Sequence, residues 1–134
     1  MDPYVDEEME PDADLNQITN AIIGAAIEVH THLRAGLLEN LYEQALAIEF
    51  RNRQIPFERQ LLVPVLYKGE KIGEHRLDFL VAGKVVVELK SVEQFSPTHS
   101  AQMICYLCIT QCKLGLLLNF NVRAMKDGIK RIAN

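Results

Sequence analysis

The residues with the most chemical potential in this chain are Asp78, Glu88 and Lys90, two carboxylates and an ammonium on what reads as a hairpin. The run Val85-Val86-Val87 suits a pleated, buried strand, and it leads straight into Glu88-Leu89-Lys90. Side chains alternate along a strand, so Glu88 and Lys90 share one face. Charges at the end of an apolar strand need a partner, solvent or a metal, because an unpaired buried charge is costly. Asp78 is the obvious companion, and the turn decides whether it can reach. A two-residue loop of Ala82 and Gly83 pairs Val81 with Lys84 and sends the two carboxylates to opposite faces. A three-residue loop, Ala82-Gly83-Lys84, pairs Val81 with Val85 and sets Asp78 opposite Glu88, with Gly83 free to take the left-handed conformation such loops favour. The second register is the one expected here. It gathers Asp78, Glu88 and Lys90 into a divalent-metal site with a cation beside it.

The elements around this hairpin follow from periodicity. Leu15, Ile18, Ile22, Ala25, Ala26, Val29 and Leu33 recur at helical spacing and predict an amphipathic helix over residues 15–33, capped by Asp14 or Asn16. Ala35-Gly36 breaks it. A second helix is expected from Leu37 to Arg53, with Leu38, Leu41, Ala45, Leu46 and Ile48 facing the core. From Phe57 to Tyr67 the chain alternates as a strand, and Pro64 within it marks an edge or a bulge. Lys68-Gly69-Glu70 turns it back into a strand from Lys71 to Val81, and the third strand ends at Lys90. Ser96-Pro97 signals a capped helix reaching about Gln111. Leu114 to Asn119 reads as a covered strand, and Met125, Ile129 and Ile132 as a short amphipathic helix carrying Lys126, Lys130 and Arg131. The order is α-α-β-β-β-α-β-α, an α/β arrangement in which helices flank a mixed four-stranded sheet.

Composition sets the outer bounds. A chain of 134 residues, 49% hydrophobic, supports one globular domain with a real core. No apolar run is long enough to span a bilayer, and the acidic start is unlike a signal peptide, so a cytoplasmic location and no membrane partner are expected. The net charge of −4 is unevenly spread. Residues 1–14 hold seven acids and no Lys or Arg, and read as a disordered acidic arm outside the domain of residues 15–134. The remainder has a basic excess of about three charges, enough to hold an anionic partner without announcing one. Cys105, Cys108 and Cys112 would share a helical face; one helix splays its thiols too widely to wrap a zinc ion, so they read as small buried, reduced residues.

Gly36-Leu37-Leu38-Glu39-Asn40-Leu41-Tyr42 resembles the pattern that names the GxxExxY proteins. Asp78 followed by Glu88-Leu89-Lys90 resembles the core motif of the PD-(D/E)XK nuclease superfamily, to which that family is assigned. The proline that usually precedes the aspartate is replaced by Leu77, a departure that touches no ligand. The resemblance covers nearly everything from Leu15 to Asn134 and implies a restriction-endonuclease-like core. It implies hydrolysis of nucleic-acid phosphodiesters with Mg²⁺ or Mn²⁺, the metal held by Asp78, Glu88 and the Leu89 carbonyl and completed by Glu39. Lys90 would hold or help deprotonate the attacking water and stabilise the transition state.

On the third helix His99, Gln102 and Tyr106 form a polar stripe, and Gln102 with Tyr106 is similar to the helix element beside the metal site in RecB-like nucleases. By that resemblance the stripe contacts substrate phosphate or orders Lys90; otherwise it is a buried stripe satisfying its own hydrogen bonds. Strict alternation puts Arg76 on Asp78's face, where it contacts phosphate or pairs with Glu74, and puts His75 on the other face, outside the site. Tyr42 is read as a packing residue whose hydroxyl positions a neighbour. The partner expected is nucleic acid, DNA or RNA, and a domain this small is expected to act as a homodimer. Two other readings stay open: a non-catalytic binding or regulatory module on the same fold, and a small-molecule metal phosphoesterase.

Overall fold

The structure is a computed structural model that describes residues 3–134, with side chains from residue 13 onward. Its elements are α1 (Pro3–Leu33), α2 (Glu39–Asn52), β1 (Phe57–Tyr67), β2 (Glu70–Val81), β3 (Val85–Lys90), α3 (Pro97–Thr110), β4 (Leu114–Asn119), a single 3₁₀ turn (Met125–Gly128) and β5 (Ile129–Ala133). The acidic arm expected over residues 1–14 falls, but for its last two residues, outside the described side chains. Asp14 and Asn16 lie inside α1 and do not cap it. Asp14 pairs with Lys84, and Asn16 accepts a hydrogen bond from Arg131.

The five strands form one sheet in the order β1-β2-β3-β4-β5. All neighbours are antiparallel except β3 and β4, which run parallel and are linked through α3. This is the expected mixed α/β architecture with one more strand. The tail predicted to be a helix is β5, paired with β4 from Leu118↔Ile129 to Leu114↔Ala133. The spacing of three between Ile129 and Ile132 misled, because it suits a helix while the exposed ladder groups of β4 demanded a partner. Both residues pack inward, Ile132 on the α3 side and Ile129 on the opposite side.

Each face of the sheet has its own core. On one face Ile22, Ala25 and Val29 of α1 and Tyr42, Leu46 and Phe50 of α2 pack on Val85, Val87, Leu116 and Leu118. On the other, Met103, Tyr106 and Leu107 of α3 pack on Val86, Leu117 and Leu77. The stripe expected for α2 was rotated: Leu38, Leu41 and Ile48 are exposed, while Tyr42, Glu43, Leu46, Ala47 and Phe50 are buried. Leu41 and Ile48 satisfy helical periodicity about as well, but the aromatics bury more area per residue and fix the docking face. Tyr42 and Phe120 stack at 4.7 Å, and Phe50 meets Phe57 and Phe79 edge-on or tilted.

Short local motifs mark several boundaries. Ser96 caps α3 and Pro97 occupies its first turn. Lys68 and Gly69, both at positive φ, make the two-residue β1–β2 turn. Pro64 lies on edge strand β1, just before a register shift between Val65 and Leu66. The three cysteines are free thiols, but only Cys112 is buried; Cys105 and Cys108 face solvent on the outer side of α3, contrary to the expectation that all three are core residues.

Candidate metal and phosphodiester site

The β2–β3 turn takes the three-residue form. Val81 pairs with Val85, Ala82 and Gly83 are at positive φ, and the Lys84 N–H donates to the Val81 carbonyl at 3.0 Å. The ladder then runs only as far as Phe79↔Val87. Beyond that pair the two strands are joined by side chains. The Asp78 N–H donates to Glu88 Oε1 at 3.3 Å, and the Leu89 N–H donates to Asp78 Oδ2 at 2.8 Å. Each carboxylate thus takes a backbone donor that an ordinary ladder would have used, and the two acids are held side by side where the strands part.

The strands part because alternation breaks on both β1 and β2. Phe79 and Val81 lie on the α1–α2 face, whereas Leu77, an even number of residues away, lies on the α3 face. On β1, Phe57 packs on the first face and Leu61 and Val63 on the second. The pairing skips from Arg59↔Phe79 to Leu61↔Leu77, so Gln60, at φ 55°, and Asp78 face each other across the break. Glu43 of α2 holds Gln60 there. It is buried and accepts from Gln60 Nε2 at 2.5 Å and from Arg59 Nε at 2.7 Å.

Glu88 shares the face of Val86, toward α3, and is 6% exposed. Burial, and next the neighbouring Asp78 charge, push its carboxyl up to about 9. Tyr106 is buried next to the pair, and its phenol is pushed up to about 12 by burial, then by Glu88 and Asp78. Lys90 is half-buried and, among the described residues, belongs to no ion pair. Glu39 opens α2. Partial withdrawal of its carboxyl from water and then the Asp78 charge raise its pKa, with Lys90 pulling the other way. The fold therefore brings Asp78 within electrostatic reach of Glu39, Glu88 and Tyr106, and Lys90 within reach of Glu39 and Glu88.

Other expected site residues fare differently. His99 completes the cap of α3, its Nδ1 accepting from the Ser96 N–H at 3.1 Å. Gln102 is half-buried on the same helix, and its amide makes no hydrogen bond among the described residues. Arg76 is exposed on β2 and does not pair with Glu74, which pairs with Lys71 instead. His75, set aside on strict alternation, packs its ring edge-on against Tyr106 at 5.0 Å, so the break at Asp78 brings it next to the site. Tyr42 behaves as read from the sequence: buried, its hydroxyl donates to the Arg34 carbonyl at 2.5 Å and accepts from the Leu37 N–H at 3.0 Å.

Two positioning residues escaped sequence reasoning. One is Glu43, whose signal would have been a charged residue in a buried helical position. The other is Asn119, at the end of an otherwise apolar strand. It is 2% exposed, pairs with Lys90 across the parallel ladder, and ties β4 to the loop after β3 through Val92 N–H (3.2 Å) and Val92 O (2.8 Å).

The donors suit a hard divalent cation. Two coupled carboxylate oxygens, one buried and hard to ionise alone, gain most from a cation placed between them. Among the described residues no three His, Cys, Asp or Glu side chains converge as they stand. A protein-family model described as the PD-(D/E)XK nuclease superfamily matches residues 16–132. No curated protein and no solved structure matches the chain.

Proposed function

The chain belongs to the PD-(D/E)XK nuclease superfamily, and from that premise we propose that it is a metal-dependent nuclease hydrolysing phosphodiester bonds in DNA or RNA, of the GxxExxY type. The observation that carries this reading is the pairing of half-buried Asp78 with buried Glu88 at the parting of β2 and β3, with Lys90 two residues beyond on the Glu88 face. Asp78, Glu88 and the Leu89 carbonyl would hold Mg²⁺ or Mn²⁺, with Glu39 completing the set directly or through water. When bound, the ion supplies charge neutralisation at the phosphate and acidifies water.

The chain's own groups do the rest. Glu88 is protonated readily in the bare site, so binding of the cation is linked to loss of its proton. Lys90 Nζ, free of an ion pair, is available to orient the attacking water and to meet charge developing on the phosphate oxygens. Tyr106, its hydroxyl kept protonated, offers a donor to a phosphate oxygen. Gln102 from the same face of α3, Arg76 and His99 are the further substrate contacts in this reading. A second copy would add grip on a duplex, and the exposed Leu62, Leu66, Tyr67 and Ile72 of the β1–β2 hairpin offer apolar surface for it.

The test is calorimetric titration of Mn²⁺ into wild type and an Asp78→Ala, Glu88→Ala double variant. Binding by wild type alone supports the site and makes cleavage assays on single- and double-stranded DNA and RNA the next step. Equal binding by both, or by neither, removes the catalytic reading and leaves a binding module on the same fold.

A further inference from the structure

A second cationic surface lies one loop from Lys90. A cavity of about 340 Å³ opens between the C-terminal end of α1 and the segment after β4, and its rim includes His30, Thr31, Arg34, Arg123 and Lys126. No carboxylate lines it; Asp127, on the same turn as Lys126, stays outside. Arg34, Arg123 and Lys126 are exposed, and among the described residues none of them is in an ion pair. Three unneutralised cations around one hollow repel each other and favour an anion between them.

The hollow is built on fixed elements. His30 is 5% exposed and its Nε2–H donates to the Val122 carbonyl at 2.8 Å, latching the segment after β4 onto α1. Arg34 follows the last turn of α1 at φ 63°, its N–H donating to the His30 carbonyl at 2.8 Å and its own carbonyl taken by the Tyr42 hydroxyl. The same segment begins at the motif lysine, since the Phe120 N–H donates to the Lys90 carbonyl at 3.1 Å. Arg123 is four residues beyond Asn119, the ladder partner of Lys90. Four residues span at most about 14 Å, and phosphates along one strand of a duplex advance about 3.4 Å per nucleotide.

We propose that this hollow is a phosphate subsite for the strand being cut, Arg34, Arg123 and Lys126 holding backbone phosphates a few nucleotides from the scissile bond. The proposal rests on reading Asp78, Glu88 and Lys90 as a nuclease site and adds where the strand leaves it. Contacts of this kind position the backbone without reading bases.

The experiment compares wild type with an Arg123→Ala, Lys126→Ala double variant, both substitutions at exposed side chains. A fluorescein-labelled single-stranded oligonucleotide is titrated in Ca²⁺ at several salt concentrations and followed by anisotropy. Mn²⁺ affinity and hydrolysis of bis(p-nitrophenyl) phosphate, which carries a single phosphate and so cannot occupy both places at once, are measured alongside. The expected result is a loss of oligonucleotide affinity of about tenfold or more, with a salt slope shallower by about one per cation removed, and no change in the other two readouts. Unchanged oligonucleotide affinity and slope would overturn the subsite and leave the nuclease reading standing. Loss of Mn²⁺ affinity in the variant would overturn it as a separate site. A wild type that binds no oligonucleotide would sink both readings.

Discussion

Gln60 and Asp78 face each other across β1 and β2 at the one place where both strands change faces, and the pairing skips them both. Gln60 is held in its left-handed conformation by the buried Glu43 of α2. The helix that carries Glu39 therefore also fixes the break from which Asp78 projects. Such breaks in alternation re-aim side chains at the rim of a sheet.

Glu43→Ala is expected to destabilise the fold by about 1–3 kcal/mol, the usual cost of removing the charged partner of buried hydrogen bonds. It should also weaken Mn²⁺ binding, although Glu43 is not among the metal ligands of the proposed site. Urea unfolding together with calorimetry checks both parts. A stability loss with unchanged Mn²⁺ affinity would confine Glu43 to a structural role.

The elevated pKa of Glu88 gives the metal-free protein a pH dependence of definite sign. The folded-state value, about 9, lies above the ordinary carboxylate value of 4.5, so the native state binds the proton more tightly than the unfolded chain. This contribution is fully present below about pH 4.5 and is lost as pH rises toward 9. Denaturation in EDTA should show stability falling across that window, and Glu88→Gln should flatten the fall. Saturating Mn²⁺ should reverse the trend in wild type, because binding to the ionised pair strengthens as the proton leaves.

Lys90→Ala should separate binding from chemistry. Lys90 makes no ion pair among the described residues, so its loss is expected to leave Mn²⁺ affinity and thermal stability nearly unchanged. Cleavage should fall by roughly 10²–10³-fold, the usual cost of removing one stabiliser of developing charge. Single-turnover cleavage of a labelled oligonucleotide measures it. Full retention of cleavage would remove Lys90 from the reaction.

Two glycines should respond unequally to alanine. A Cβ at Gly128 would stand 2.0 Å from the Asn119 carbonyl oxygen, a backbone atom at the end of β4. One at Gly115 would meet Met103 Sδ at 2.3 Å, the middle of a flexible side chain. Overpacking costs about 1–3 kcal/mol. Gly128→Ala should lie at the upper end of that range or beyond and disturb the Asn119–Val92 tie, while Gly115→Ala should be milder as Met103 changes rotamer. Thermal melts of the two variants decide the order.

What the sequence determined by itself was local. Ala82-Gly83-Lys84 set the hairpin register, Ser96-Pro97 set the start of α3, and the six-residue run Leu114–Asn119 could only be a covered strand. These features depend on backbone conformations and caps that a few neighbouring residues decide. Tertiary structure decided the rest. Whether Ile129 and Ile132 lay on a helix or a strand turned on the open edge of β4. Which side of α2 faced inward turned on the seating of Tyr42 against Phe120 and Phe50 against Phe79. The placement of His75 beside Tyr106 followed from the break at Asp78, which rests on Glu43 and Gln60, 35 and 18 residues upstream of it. Alternation is a rule for an unbroken strand, and only distant contacts can say where a strand is broken.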